Sequence, residues 1–177
     1  MKLQVKYLEK LQLEKTFIDI YTDHFEESRY GFIVSFNENL LLLEQFSDIG
    51  EADGISIIKI ENITRIKWEG NDINTTAKFA VKEKRLENLE NLKIDTIQNA
   101  LKSIQNRFGY VNLYIQNIDA GMSIIGEVEE LDDEIIIIKE FGTYTALDRK
   151  KLMLSVEEIT KIDAGGKYEN NLKELYL

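Results

Sequence analysis

A few short stretches hold the side chains most able to do chemistry. In TDHFEES the single histidine, His24, lies beside Asp23, Glu26 and Glu27. A neighbouring carboxylate favours the imidazolium, so such a group can act as a pH-sensitive switch or a general base. The 177 residues contain no second histidine and no cysteine. That removes thiol nucleophiles, thiolate metal sites and most zinc constellations. A lone loop histidine is ordinarily solvated, and no catalytic residue, metal site or cofactor is expected. In SDIGEADG, Asp48, Glu51 and Asp53 share a loop with two glycines. Clustered oxygens suit hard cations, but the stretch lacks the alternating ligands and distal glutamate of a calcium loop. It reads as a solvated acidic loop, as does the turn Asp132-Asp133. Both acidic stretches, with the only tryptophan, Trp68, are the candidates for partner binding.

Two further motifs resolve into plainer readings. AGGK, Ala164 to Lys167, is too short for a phosphate loop, which needs a second glycine at a fixed distance before Gly-Lys-Ser or Gly-Lys-Thr. Its glycines serve better to end a strand. Lys78, Lys82, Lys84 and Arg85, with Phe79 and Val81 between them, form the densest basic run. Four charges would give only a weak, salt-sensitive contact with a phosphate backbone.

The elements that must carry these residues come from a folded composition, 44% hydrophobic and 31% charged. Thirty-two acids against 22 lysines and arginines leave a net charge of −10, which repels nucleic acid and suits a basic partner. The N-terminus lacks the pattern of a secretory signal, and no apolar run spans a bilayer. With no cysteine, the expected compartment is cytoplasmic and no membrane partner is expected.

The chain repeats itself. A shift of 95 lays GFIVSFNENLLLLEQF, from Gly31, on GEVEELDDEIIIIKEF, from Gly126, and places Thr16 to Tyr30 over Val111 to Ile125. One further residue then sets ENITRI, from Glu61, on EEITKI, from Glu157. Each copy reads as five short strands, rich in β-branched and aromatic residues between turn residues. In the first copy they are Phe17 to Tyr21, Gly31 to Phe36, Leu40 to Phe46, Ile55 to Ile60 and Ile63 to Trp68. In the second they are Tyr110 to Ile115, Ile124 to Leu131, Glu134 to Phe141, Lys151 to Val156 and Ile159 to Asp163. A helix precedes each set, faint over Leu3 to Leu11 and clear over Ile97 to Phe108, with Asp95 as its expected cap and Gly109 as its stop. A last helix follows Gly166. The expected organisation is residues 1–80, a helical connector over 81–92, and residues 93–177.

A leading helix, five strands, a glycine in the second strand and a hydrophobic residue five positions later resemble the Sm-like (LSm) domain, in a tandem form of bacterial type. Gly31, Phe36 and Asn37 carry the pattern first, then Gly126, Leu131 and Asp132. The resemblance implies a mostly β, α+β fold of two small five-stranded barrels, each preceded by a helix, which pair edge to edge or assemble as a homo-oligomer. It also implies an RNA-binding ancestry. Relatives that bind RNA present Asn near the first turn and a basic residue with glycine in the last, where this chain has Glu61-Asn62 and Glu157-Glu158. The expected function is therefore a non-catalytic protein-interaction module with an acidic surface. RNA binding is the alternative, and a hydrolase or metal-binding protein the second alternative.

Overall fold

The computed structural model describes residues 2–176. The chain divides into two compact units, Met1–Asn91 and Leu92–Leu177. In unit 1, helix α1 (Leu3–Leu13) precedes β1 (Phe17–Thr22), β2 (Glu27–Phe36), β3 (Leu40–Phe46), β4 (Ala52–Lys59) and β5 (Arg65–Trp68), and α2 (Asn71–Ala80) follows. In unit 2, α3 (Ile97–Phe108) precedes β6 (Val111–Tyr114), β7 (Ser123–Leu131), β8 (Ile135–Glu140), β9 (Lys151–Ser155) and β10 (Lys161–Ala164), and α4 (Lys167–Glu174) follows. The protein is thus mostly β with four helices among the described residues.

Within unit 1 the antiparallel order is β5-β1-β2-β3-β4, and within unit 2 it is β10-β6-β7-β8-β9. The end strands of each set do not pair with each other, so neither sheet closes. This corrects the expectation of closed barrels: hydrophobic alternation specifies a buried face, but closure depends on long-range pairing that local pattern does not encode. The alternation in unit 1 is buried on both faces. One face carries Ile18, Ile20, Ile33, Leu41, Leu43 and Ile58 against Leu8 and Leu11 of α1. The opposite face carries Phe17, Phe32 and Phe46 against Ile73 and Ala80 of α2. Phe17 meets Phe32 and Phe46 edge-on, with ring centroids 5.0 and 5.9 Å apart.

The repeat survives in fine detail. β2 bulges between Ile33 and Ser35, and β7 between Val128 and Glu130. Asn37 Oδ1 accepts from the amides of Asn39 and Leu40 at 2.8 and 2.9 Å; Asp132 Oδ1 accepts from those of Glu134 and Ile135 at 2.9 and 2.7 Å. The fourth and fifth strands are joined by matching 3-10 turns, Ile60–Asn62 and Val156–Glu158. The first strand, however, slips by two residues against the shift of 95. Ile18 pairs with Gly31, and Val111 with Gly126, because the loop before β7 is longer. Tyr21 therefore corresponds to Tyr114, and Asp19 to Asn112.

Two local expectations change. The stretch 81–92, read as a helical connector, carries turns and one 3-10 turn, Leu89–Asn91; the helix lies ahead of it as α2. Asn, Asp and Thr in NDINTTAKFA have weak helix propensity, so burial of Ile73, Thr76 and Ala80 supplies the stability. The cap of α3 is Thr96, whose hydroxyl accepts from the Asn99 amide at 3.1 Å, whereas Asp95 accepts from the Asn99 side chain. Gly109 ends α3 at φ +78, as expected, and Lys173 Nζ donates to the Phe108 carbonyl at 2.8 Å. That lysine satisfies one of the carbonyls a helix terminus leaves without a partner.

Gly31 is pressed against β3: a Cβ there would overlap the Glu44 carbonyl oxygen and lie 2.8 Å from Leu43 Cγ. At Gly126 a Cβ would overlap the Lys139 carbonyl and lie 2.7 Å from Ile138 Cγ2. Backbone oxygens in a paired strand cannot rotate away. Gly31→Ala and Gly126→Ala should each cost roughly 2 kcal/mol or more of stability, read from urea unfolding. A cost below about 0.5 kcal/mol would show that the strands separate easily.

Candidate functional site

The repeated ITRI and ITKI stretches build one constellation twice. In unit 1, Thr64 Oγ1 lies 3.1 Å from the Tyr21 carbonyl, touches the Asp23 carboxylate and accepts from the Asp23 amide at 3.2 Å. In unit 2, Thr160 Oγ1 lies 3.0 Å from the Tyr114 carbonyl and 3.1 Å from Gln116 Oε1, and accepts from the Gln116 amide at 3.2 Å. Beside each threonine a cation covers a tyrosine: Arg65 is 3.8 Å from the Tyr21 ring centroid, and Lys161 is 3.8 Å from that of Tyr114. Cation–π contact of this kind adds to strand pairing. The copy in unit 2 is buried, with Thr160, Lys161 and Asp163 all under a tenth exposed. The copy in unit 1 is open, and there Arg65 grips Asp23 through Nη2 and Nε at 2.7 and 2.8 Å. Bonds from Arg65, then Thr64, hold the Asp23 carboxyl down at about 2.

Along the same face runs a row of paired positions, Lys67, Asp19 and Tyr30. Lys67 Nζ donates to the Tyr21 hydroxyl at 3.0 Å. Asp19 is 1% exposed, and its Oδ1 has no hydrogen-bond partner. Burial pushes its carboxyl above the ordinary range.

A recess of about 790 Å³ in unit 1 lies beside β2 and β3, lined by Glu9 and Gln12 of α1, Phe32, Glu44, Arg85 and Glu90 among others. Every residue of β3 is buried, Glu44 included at 4% exposed. Its carboxylate receives Arg85 through both Nε and Nη2, and the Leu86 amide donates to Oε1 at 3.1 Å. The guanidinium lies 4.2 Å from the Phe32 ring centroid and 5.8 Å from that of Phe46. A planar cation thus sits between a buried carboxylate and two aromatic rings, an arrangement that favours arginine over lysine.

The residues expected to bind a partner fall into separate places. Asp48 and Glu51 occupy the β3–β4 connection, and Asp53 lies at the start of β4. The Asp48 carbonyl accepts from the Thr76 hydroxyl at 2.9 Å, and Asp53 from Gln45 Nε2 at 3.0 Å. The loop also docks α2 closely: Gly50, at φ +84, would place a Cβ 2.7 Å from that of Phe79. Asp132 and Asp133 lie in unit 2 at the β7–β8 turn. Backbone amides of Ile135, then Glu134, lower the Asp132 carboxyl, and the Asp133 carbonyl accepts from Gln98 at 3.0 Å. Trp68 is 36% exposed, tilted on Tyr7 of α1 at 5.8 Å, and lines a recess of about 370 Å³ with Lys67 and Asp72. His24 is exposed on the 3-10 turn Asp23–Phe25. No group of three or more metal-ligating side chains is placed to hold an ion among the described residues. Gly165 donates to the Tyr110 hydroxyl at 2.8 Å, and Gly166 caps α4. No helix among the described residues is long and apolar enough to cross a membrane.

Glu44 and Asp19 are absent from the residues the sequence singled out, and Arg85 figured there only as part of the basic run. One signal pointed to Glu44: it is the sole ionisable residue of LLLLEQF, and burial of an isolated carboxylate demands a cation. No protein-family model, curated protein or solved structure matches the chain.

Two pH-dependent outcomes follow from these carboxylates. Because the folded state holds Asp23 below the ordinary 3.8, its contribution to stability is present above that value and is lost as pH falls from there through about 2. A carbon-detected NMR titration should place its midpoint near 2, and a midpoint at the ordinary value would remove the Arg65 pairing. Asp19 has the opposite sign. A folded carboxyl raised by burial destabilises the protein wherever it is ionised, and that penalty is relieved as pH falls through its folded pKa. Asp19→Asn, which mimics Asn112 of the other copy, should raise the urea midpoint at neutral pH, and the gain should vanish in acid.

Proposed function

We propose that the protein is a non-catalytic interaction module whose acidic surface meets a basic protein partner. The observation that carries this reading is the recess of about 790 Å³ in unit 1, where Glu9, Glu44 and Glu90 outnumber the cations Lys15 and Arg85 beside the Phe32 ring and the apolar side chains of Leu86 and Leu89. Carboxylates around an apolar floor match a cationic, amphipathic segment, and the net charge of −10 steers it there. Leu13, 85% exposed at the rim, adds apolar area without closing the recess. On this reading Trp68 and the acidic residues Asp48, Glu51 and Asp53 are outlying contacts of unit 1 around a centre at Glu44, and the turn Asp132-Asp133 is a separate acidic contact on unit 2.

The finer architecture belongs to the same proposal. Strand order, bulge and 3-10 turn recur in both units and support reading each as a strongly bent Sm-like sheet. Self-association through an end strand fits β9, whose Met153 is 69% exposed, and sedimentation at increasing concentration tests it. RNA binding has one observation in its favour, a recess of about 530 Å³ lined by Lys2, Gln4, Asn37 and Asn39. Glu38 lines it too, and the acidic field opposes a phosphate backbone.

The test is direct. Fluorescent arginine- and lysine-rich peptides, an acidic control peptide and oligo-U RNA are titrated at low salt and again at about 0.5 M, where screening shortens the reach of surface charge. The basic peptides should bind and weaken with salt, while the acidic peptide and RNA remain free. Saturable RNA binding without peptide binding would transfer the function to nucleic acid.

A further inference from the structure

We propose that Glu44 with Phe32 and Phe46 forms an arginine-recognition socket, and that Arg85 occupies it as an internal ligand which a partner's arginine displaces. The inference deepens the acidic-module reading and rests on it for the partner's charge. Glu44 is 4% exposed on a strand buried along its whole length. A carboxylate so placed is costly unless a cation meets it. The cation comes from outside the regular structure of the unit. Between Val81 and Asn88 every residue is exposed except Leu86, which is half-buried, and no helix or strand spans the stretch. The Arg85 side chain itself remains 43% exposed, against 5% for that of Glu44. One wall of the socket is therefore built into the sheet, and the other is a side chain on a surface strap.

The chemistry of the site is selective. Both Nε and Nη2 of Arg85 reach the carboxylate, and the guanidinium plane lies over Phe32 at 4.2 Å. An ammonium can supply the charge but neither the paired donors nor the flat face. The socket opens onto the recess that carries Glu9 and Glu90, so an arriving basic segment has further carboxylates beside the arginine it inserts. An occupant already in the site lowers the apparent affinity of a competitor by the fraction of time the site is vacant. Arg85 thus makes binding conditional: a partner with one arginine competes poorly, whereas one that also fills the recess prevails.

The experiment uses the full chain as wild type, Arg85→Ala and Arg85→Ala with Glu44→Gln, probed with argininamide, lysinamide and an arginine-rich peptide. Argininamide should raise the melting temperature of Arg85→Ala by a few degrees. It should leave wild type and the double variant unmoved, and lysinamide should do much less. The peptide should bind Arg85→Ala about tenfold more tightly than wild type, the effect of vacating a mostly occupied site. Equal responses to the two amides, or none from Arg85→Ala, would overturn the socket. Peptide binding of equal strength to wild type and Arg85→Ala would also overturn it while leaving the acidic-module reading intact. Rescue by argininamide with no peptide binding to any variant would leave the socket and remove the module. Should Arg85→Ala fail to fold, the Arg85 Nε–Hε resonance of wild type decides. It should shift towards the free-arginine position as peptide saturates, and peptide binding without that shift rejects displacement.

Discussion

The contact of β2 with β3 at Gly31 is the constraint on which the rest of unit 1 depends. The missing side chain lets the backbone of β2 lie against the Glu44 carbonyl and Leu43, and this close approach, with the bulge at Val34, coils the sheet. Coiling gives each face of a short sheet enough curvature to enclose its own helix, α1 over the aliphatic side and α2 over the aromatic one. It also sets the register that pairs Phe32 with Glu44, so the carboxylate and the ring that flank Arg85 are adjacent because the glycine is there. Gly126 plays the same part against Lys139 and Ile138 in unit 2.

The two units show which features such a sheet must keep. The Thr hydroxyl that ties the fifth strand to the end of the first is retained in both, as are the Asx turn and the 3-10 turn, because each satisfies backbone groups that have no strand partner. Charge is free to change around that frame. Asp19 becomes Asn112 and Lys67 becomes Asp163 in register, while the cation over the tyrosine persists as Arg65 and Lys161. The position that pairs with the first glycine-bearing strand at Glu44 is Lys139 in the second copy, where the carboxylate stands on the glycine-bearing strand instead: Glu127 meets Arg149, which lies over the Phe141 and Tyr176 rings.

Most of the strands were legible because alternation and turn chemistry are local. Leu40–Phe46 falls where it was expected, and the Asn37 and Asp132 turns follow from short side chains that can bond the next two amides. What was not legible depends on distance or on small differences in loop length. An ungapped shift of 95 cannot register the longer loop before β7, so it mispairs the first strands by two residues. The helix α2 hides in polar, weak helix formers because its stability comes from tertiary burial of Ile73 and Ala80. The connector looked helical because its charged residues are good helix formers, but Arg85 and Leu86 bond Glu44 from a non-helical strap. The basic run was visible as composition; its one buried contact lies 41 residues away in sequence.

The Glu44–Arg85 pair also explains how a strongly acidic chain can place a carboxylate under its own surface. An unpaired carboxylate there would be disfavoured by several kcal/mol of desolvation, and an apolar replacement would give a better-packed strand without any ionic partner. The retained charge makes sense when its partner is exchangeable. Desolvation has already been incurred by the fold, so any guanidinium that reaches Glu44 meets a preorganised acceptor and two ring faces. Arg85 supplies that cation intramolecularly through a short loop, at a modest entropic cost of closure. An external arginine must overcome that local advantage with contacts of its own, and the carboxylates and apolar floor of the adjoining recess are where those contacts can form.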